Sequence, residues 1–125
     1  MAGRILIVDD EIYIRKIFQF NLNRAGYRVD LAEDSYSAQS LIDKGEKYDL
    51  IICDLMMPVR SGLEFIKLLR EKYNMTEQKF MIVSAKGMEK DVLEAAHYNV
   101  SNYKLKPFSM VDLVKEVDRI LKKDL

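Results

Sequence analysis

Short apolar runs alternate five times with longer amphipathic segments along this chain of 125 residues. The runs predicted as strands are residues 5–8, 27–32, 50–53, 80–83 and 103–105. Apolar residues at helical spacing predict helices over residues 14–25, 37–45, 62–73, 89–98 and 109–123. Strands that are apolar on both faces and alternate with helices form parallel sheets covered on both sides. Because an α/β barrel needs about 250 residues, we expect an open, doubly wound α/β sheet.

The spacing of the apolar residues also predicts which side chains face the core. Residues three or four positions apart share one face of a helix, so each helix should pack one stripe on the sheet. In the first helix the predicted stripe is Ile14, Ile17, Phe18, Leu22 and Ala25. In the last helix it is Met110, Leu113, Val114, Val117, Ile120 and Leu121. Met56 and Met57, after the third strand, are also expected to pack.

Composition excludes several classes of protein. The 20 basic and 20 acidic residues give a net charge of zero, which argues against direct nucleic acid binding, since phosphate binding favours a basic surplus. The single cysteine, Cys53, cannot form an internal disulfide. No apolar run approaches the roughly 18 residues of a membrane span, and the N-terminal apolar run is too short for a secretory signal. We expect one cytoplasmic domain over residues 1–125 without a membrane partner.

Polar side chains follow four of the five apolar runs. Asp9 and Asp10 follow the first, Asp54 the third, Ser84 the fourth and Lys106 the fifth. Because the carboxyl ends of parallel strands share one edge of the sheet, these side chains should converge. The second run has no such residue, which favours a place for that strand at the edge of the sheet.

Three converging carboxylates repel one another and raise the pKa of at least one unless something compensates. Lys106 and one divalent cation would balance the three negative charges. Carboxylates suit Mg²⁺ or Mn²⁺, which also bind phosphate oxygens. We therefore expect a site for a phosphoryl group, with Asp54 as the nucleophile that forms an aspartyl phosphate and the pair Asp9 and Asp10 holding the metal.

Four motifs, ILIVDDE, DLMMPVRSG, VSAKG and YKLKPF, occur in this order. Together they resemble the receiver domain of bacterial two-component response regulators, of the single-receiver chemotaxis type, over residues 3–123. The resemblance implies a flavodoxin-like, three-layer (βα)5 fold with a parallel sheet in the strand order 2-1-3-4-5.

The resemblance also assigns the chemistry to residues of this chain. Asp54 corresponds to the phospho-acceptor. The ligands of Mg²⁺ correspond to Asp9, Asp10, Asp54 and the backbone carbonyl of Met56. Of the pair Asp9 and Asp10, the resemblance favours Asp10 as the residue that binds the ion directly. Lys106 corresponds to the lysine that contacts a phosphoryl oxygen, and its bond to the following proline is cis in such domains.

Two further residues correspond to the switch of the family. Ser84 matches the hydroxyl residue that turns toward the phosphate, and Tyr103 matches the aromatic residue whose ring then moves inward. Met56 and Lys86 occupy positions that tune the lifetime of the phosphoryl group. The segment over residues 99–102 departs from the usual turn of the family, which leaves the shape of that loop open.

A receiver domain accepts its phosphoryl group from a sensor histidine kinase or a histidine phosphotransfer protein. It assists its own phosphorylation and dephosphorylation and is not an enzyme with an external substrate. Its fourth helix, fifth strand and fifth helix form the surface that an output protein or effector domain recognises, and some receivers dimerise on phosphorylation. The last predicted helix lies close to residue 125. Three kinds of protein remain compatible with this sequence: a stand-alone regulator, a relay intermediate or a receiver that is a fragment of a longer protein.

Other interpretations compete with this one. An aspartate-nucleophile phosphatase of the haloacid-dehalogenase kind needs a second aspartate where this chain has Met56, and places its nucleophile on the first strand. A flavodoxin-type module needs a phosphate loop after the first strand, where Asp9 and Asp10 would repel phosphate. A degenerate receiver would lack residue types that are present here. Taken singly, Asp9 or Asp10 could also cap the first helix.

Overall fold

The computed structural model describes residues 3–85 and 89–122; Lys86, with its predicted tuning role, lies outside the described residues. The strands are β1 (Arg4–Val8), β2 (Arg28–Ala32), β3 (Leu50–Asp54), β4 (Phe80–Ser84) and β5 (Asn102–Leu105). The helices are α1 (Ile12–Arg24), α2 (Ser35–Asp43), α3 (Gly62–Glu71), α4 (Glu89–His97) and α5 (Met110–Lys122). No helix within these residues is long and apolar enough to cross a membrane.

The five strands form one parallel sheet in the order β2-β1-β3-β4-β5, which confirms the predicted topology. β3 lies at the centre and β2 at an edge, as the absence of a polar residue after the second run suggested. Asp54 and Ser84 are the last residues of β3 and β4 rather than the residues after them, because the ladders extend to the pairs Asp54–Val83 and Ser84–Leu105.

Alternate residues of the buried strands face two separate apolar clusters. Along β3, Ile51 and Cys53 belong to one cluster and Leu50 and Ile52 to the other. The first cluster is covered by α2, α3 and α4, and the second by α1 and α5. This explains why the central strands are apolar throughout: each face of the sheet carries its own helical layer.

Local hydrogen bonds set the ends of the helices. α2 begins two residues earlier than predicted, because the side chain of Asp34 accepts a hydrogen bond from the Ser37 amide at 2.7 Å. After α4, Asn99 adopts a left-handed conformation with φ of 62°, and the amide of Val100 donates to the carbonyl of Ala95. Asparagine tolerates this conformation better than most residues, which accounts for the unusual loop over residues 99–102.

Two predicted core residues are exposed instead. Ile17 of α1 keeps 46% of its surface accessible, because Phe18 and Leu22 fill the space against the sheet and Ile17 lies at the rim of their stripe. Met56 is 67% exposed, whereas Met57 is buried as expected. Met56 and Met57 therefore point in opposite directions from the loop after β3, and only Met57 reaches the core. The predicted stripe of α5 packs on the sheet throughout its length.

Candidate functional site

Three carboxylates meet at the carboxyl edge of the sheet. Asp9, Asp10 and Asp54 each offer an oxygen atom within 4.8 Å of the other two. Asp9 and Asp54 are buried, with 1% and 7% of their surfaces accessible, while Asp10 is exposed. The cluster therefore has two fixed carboxylates at its base and a third at its rim, open to solvent.

The end of β3 places Asp54 at this edge. Its Oδ1 atom accepts a hydrogen bond of 3.0 Å from the amide of Met56, which turns the chain sharply after the strand. Gly62, at the start of α3, approaches so closely that a Cβ atom there would lie 2.3 Å from the carbonyl oxygen of Asp54. Only glycine fits at that position, and the close approach brings the first turn of α3 against the end of β3.

Hydrogen bonds near the start of α1 hold Asp9, the first residue of the acidic pair. Asp9 Oδ1 accepts a hydrogen bond of 2.9 Å from the amide of Glu11, and the carbonyl of Asp9 accepts one of 2.7 Å from Arg15 Nη1. The N-cap residue, just before α1, is Glu11, and its side chain makes no capping hydrogen bond. The capping interpretation of Asp9 and Asp10 is therefore wrong, and both carboxylates belong to the cluster.

Lys106 brings a positive charge to the buried carboxylates. Its Nζ atom lies 3.1 Å from Asp54 Oδ2 and 3.4 Å from Asp9 Oδ2. Burial lowers the pKa of Lys106, but the charges of the two aspartates outweigh that effect and the net shift is upward. The Lys106–Pro107 bond is cis, as the resemblance implied, and the amide of Lys106 donates to the carbonyl of Ser84.

The two predicted switch residues lie on the strands beside this cluster. Ser84 ends β4, the neighbour of β3, and is buried. Tyr103 pairs with Ile82 in the β4–β5 ladder and packs, half-buried, against the cluster under α4. The structure thus places Ser84 at the same edge as Asp54 and places Tyr103 two residues further from that edge, next to α4.

The residues present fit a hard divalent cation. Burial raises the pKa of Asp9, while the Glu11 amide and Lys106 oppose the shift. A carboxylate with a raised pKa in such a place is stabilised by additional positive charge. Three carboxylates that can reach one point, one of them exposed, match the ligand preference of Mg²⁺ and Mn²⁺ for a few carboxylates together with water.

The sequence interpretation missed two features next to this site. The first is Arg60, in the loop between β3 and α3, whose side chain binds α2; a lone arginine in a short loop gave no signal. The second is the exposed apolar face of α1, where Tyr13, Ile17 and Phe20 are 76%, 46% and 63% accessible. Their spacing of four and three residues was a usable signal, but it overlaps the stripe that faces the core.

The chain is similar to known signalling proteins. A family model described as the response regulator receiver domain matches residues 5–118. The chemotaxis protein CheY4 of Vibrio cholerae is 30% identical with a TM-score of 0.89, covering 97% of this chain and 100% of that one.

Two further solved structures agree with this match. The response regulator TrrA of Thermotoga maritima, solved in complex with Mg²⁺–BeF, is 32% identical with a TM-score of 0.83, covering 97% and 100% of the two chains. The receiver domain of Francisella response regulator 1452 is 28% identical with a TM-score of 0.87, covering 99% and 100%. With its strand order and its five βα units, the chain belongs to the family of response regulator receiver domains.

Proposed function

We propose that residues 1–125 form one receiver domain of a bacterial two-component phosphorelay in the cytoplasm, and that Asp54 accepts a phosphoryl group from a phosphohistidine in a Mg²⁺-dependent reaction. One observation carries the proposal: three carboxylates and one ammonium group converge at the carboxyl edge of the sheet. The Mg²⁺–BeF complex of the Thermotoga regulator supports Mg²⁺ as the ion, and Mn²⁺ has similar ligand preferences.

In the proposed reaction a carboxylate oxygen of Asp54 forms a bond to phosphorus. The bond between phosphorus and the imidazole nitrogen of the donor breaks, and the nitrogen keeps the electron pair. The Nζ atom of Lys106 lies 3.1 Å from Asp54 Oδ2, which supports the proposal that it contacts an oxygen of the transferred group. Because the transition state spreads negative charge over these oxygens, a fixed ammonium group stabilises it.

Asp9, Asp10, Asp54 and the backbone carbonyl of Met56 are the proposed ligands of the cation. A bound divalent cation supplies positive charge that neutralises phosphoryl oxygens during transfer. Asp9 is held in place by the Glu11 amide and Lys106, so its carboxylate needs little rearrangement to bind. In this role the domain assists its own phosphorylation and dephosphorylation and has no external substrate to turn over.

Phosphorylation of Asp54 is proposed to act through Ser84 and Tyr103. The phosphoryl group adds about one negative charge relative to the carboxylate and new acceptor oxygens, toward which Ser84 turns while the ring of Tyr103 moves inward. The surface of α4, β5 and α5 then changes its conformation and is recognised by an output protein or effector domain, or by a second phosphorylated copy. Exposed apolar side chains on this surface support a protein partner: Val92, Leu93, Leu105 and Val111.

The proposed donor is a sensor histidine kinase or a histidine phosphotransfer protein. An apolar groove of about 650 Å³ lies between α1 and the segment after β5. Lys106 lines this groove and also contacts Asp54, so a protein seated there would hold a phosphohistidine next to the acceptor. The exposed face of α1, with Tyr13, Ile17 and Phe20, extends the apolar surface beyond the groove.

A small phosphodonor tests the acceptor directly. Acetyl phosphate with Mg²⁺ should add one phosphoryl group to the protein, measured by intact mass spectrometry. Asp54→Ala and removal of Mg²⁺ should both abolish the added mass, whereas Asp91→Ala, in α4, should retain it. No added mass on the wild type, or an adduct that persists in Asp54→Ala, would contradict the proposal.

A turnover assay separates this proposal from the phosphatase alternative. The position two residues after Asp54 is Met56, which cannot act as a general acid, so we expect no rapid multiple turnover of phosphate monoesters. Sustained hydrolysis of p-nitrophenyl phosphate that depends on Asp54 would favour the phosphatase.

A further inference from the structure

Arg60 fastens the loop after Asp54 to a neighbouring helix. Its Nε atom donates to Ser35 Oγ at 2.8 Å, and its Nη2 atom donates to the carbonyl of Ser35 at 2.9 Å and to Gln39 Oε1 at 2.8 Å. The guanidinium carbon lies 4.1 Å from the centre of the Tyr36 ring. The planar guanidinium group is thus fixed by three hydrogen bonds and the Tyr36 ring, all from α2, and it also lies 5.7 Å from the centre of the Phe65 ring of α3.

The loop that Arg60 fastens is strained and lies beside the site. We define the β3–α3 loop as residues 55–61; it contains Met56, whose amide binds Asp54 Oδ1. Within it, Val59 has φ of 70°, a left-handed conformation that is unfavourable for a β-branched residue. Such a conformation persists only when surrounding contacts hold it. Val59 is 88% exposed, so its own side chain supplies little of that restraint, and Arg60 is the adjacent anchor.

The anchor on α2 is itself tied to the other side of the acidic cluster. Ser35 is 1% exposed and begins α2, three residues after the end of β2. The carbonyl of Ala32, at that end, accepts a hydrogen bond of 3.2 Å from the amide of Asp9. Through Arg60, the loop that carries Met56 is therefore joined to the segment that holds Asp9 in place.

We propose that Arg60 is a positioning residue for the acceptor site, which holds the main chain of Met56 next to Asp54 for binding of the cation. The inference rests on the proposed function, because it takes the Met56 carbonyl as a metal ligand. Residues that orient metal ligands affect metal affinity by about 10- to 100-fold when removed. Arg60 touches neither the acceptor nor the ligand set, and it acts through the path of the loop.

The test measures the cation affinity of the unphosphorylated protein. Arg60→Met keeps the aliphatic part of the side chain and removes its donors, and we expect it to weaken Mg²⁺ binding by about 10-fold in calorimetric titration. Arg60→Lys keeps the charge but cannot donate to three acceptors in one plane, so its affinity should fall in the same direction. The Met56 amide should exchange its hydrogen faster in both variants, as measured by NMR.

Arg70→Met is the matched control. Arg70 also binds main-chain carbonyls, those of Tyr98 and Asn99, and lies 4.8 Å from the Phe80 ring, but it is in α3, away from the β3–α3 loop. This control should lose stability and keep its Mg²⁺ affinity. An equal loss of affinity in Arg70→Met, or wild-type affinity in Arg60→Met, would overturn the role of Arg60.

Two further results keep the test decisive. If Arg60→Met fails to fold, Ser35→Ala takes its place, because it removes one acceptor of Arg60 at a buried position. Unchanged Mg²⁺ affinity and unchanged exchange of the Met56 amide in both Ser35→Ala and Arg60→Lys would refute the inference. A wild type that takes no phosphoryl group and binds no Mg²⁺ would overturn the proposed function itself. If the wild type takes a phosphoryl group but substitution of Arg60 changes neither the Mg²⁺ affinity nor the exchange of the Met56 amide, only this inference is overturned.

Discussion

A single ammonium group offsets two buried carboxylates at the edge of the sheet. Lys106→Ala leaves Asp9 and Asp54 without the contacts at 3.4 and 3.1 Å. The side chain of Lys106 is 23% exposed, so solvent screens part of the interaction, but two buried carboxylates lose their cation, and we expect the free energy of unfolding to fall by about 1–3 kcal/mol. The variant should fold and should respond less to phosphorylation, measured by urea unfolding and by the chemical shifts of α4 and α5.

The neighbouring lysine on β5 provides the control for this change. Lys104→Ala removes an equal charge from β5, two residues before Lys106, and we expect it to keep both phosphorylation by acetyl phosphate and the chemical-shift response of α4 and α5. Loss of folding in Lys106→Ala would give Lys106 a structural role instead. A full conformational response in that variant would exclude its contact with the phosphoryl group.

The glycine at the start of α3 is constrained by a backbone atom rather than by a side chain. In Gly62→Ala the new Cβ would lie 2.3 Å from the carbonyl oxygen of Asp54, so β3 and α3 must separate. We expect a loss of about 1–3 kcal/mol in the free energy of unfolding, measured in urea, with slower phosphorylation. Gly45→Ala meets no atom within 4 Å, although its φ of 92° is unfavourable for alanine, and should cost about 1 kcal/mol. A smaller loss in Gly62→Ala than in Gly45→Ala would contradict the close approach.

The sequence allowed prediction of the residues whose position depends only on strand ends. Asp9, Asp54 and Lys106 converge because parallel strands put their carboxyl ends at one edge, and this needs no knowledge of loop paths. Arg60 was not predictable in the same way. Its partners, Ser35 and Gln39, lie 25 and 21 residues away in sequence, and only the packing of α2 beside the β3–α3 loop brings them together.

At the scale of helices and strands, the apolar patterns predicted all ten elements that lie in the described part of the chain, while short-range polar contacts set their ends. Asp34 starts α2 early, Ser61 caps α3 by accepting a hydrogen bond from the Glu64 amide, and Asn99 provides the left-handed residue after α4. Each contact depends on the conformation of one residue, which periodicity does not specify. Periodicity also cannot tell a residue at the rim of a buried stripe from one inside it, which explains the error at Ile17.

The exposed face of α1 gives a prediction at the same scale. Ile17 lines the apolar groove next to Lys106 and is 46% exposed, so Ile17→Glu should alter the surface without disturbing the core. We expect this variant to accept phosphate from acetyl phosphate at the wild-type rate. The histidine kinase for the second assay is chosen by profiling purified kinases on the wild type. Phosphoryl transfer from this kinase to Ile17→Glu should be at least about 10-fold slower than to the wild type, since burying one charge in the interface costs more than 1.4 kcal/mol.

A substitution on the opposite face of the molecule controls for the added charge. Leu93 of α4 is 71% exposed and belongs to the proposed output surface. Leu93→Glu should therefore leave the transfer from the same kinase unchanged. Equal losses in Leu93→Glu and Ile17→Glu, or no loss in Ile17→Glu, would remove the groove as the docking surface of the donor.

The fold of the whole molecule follows from two general rules applied to the order of its strands and helices. Right-handed crossovers between parallel strands leave few topologies, and strands apolar on both faces require helices on both sides. The two clusters on either side of β3 satisfy this requirement. The same topology concentrates negative charge at one end of the sheet, because Asp9 and Asp10, which follow β1, meet Asp54, which ends β3. A divalent cation at that edge should therefore stabilise the entire fold.

Thermal unfolding with and without Mg²⁺ tests this coupling. An ion that binds only the folded state at ten times its Kd adds about 1.4 kcal/mol to the free energy of unfolding, so the Tm should rise with Mg²⁺ and fall with EDTA. Asp10→Asn removes one of three carboxylates that lie within 4.8 Å of one another, so without Mg²⁺ we expect the variant to be at least as stable as the wild type. The increase caused by Mg²⁺ should be lost in that variant, because the carboxylate at the rim of the cluster is gone. KCl at equal ionic strength controls for screening, and an equal rise in Tm for Asp10→Asn and the wild type would place the ion elsewhere on the molecule.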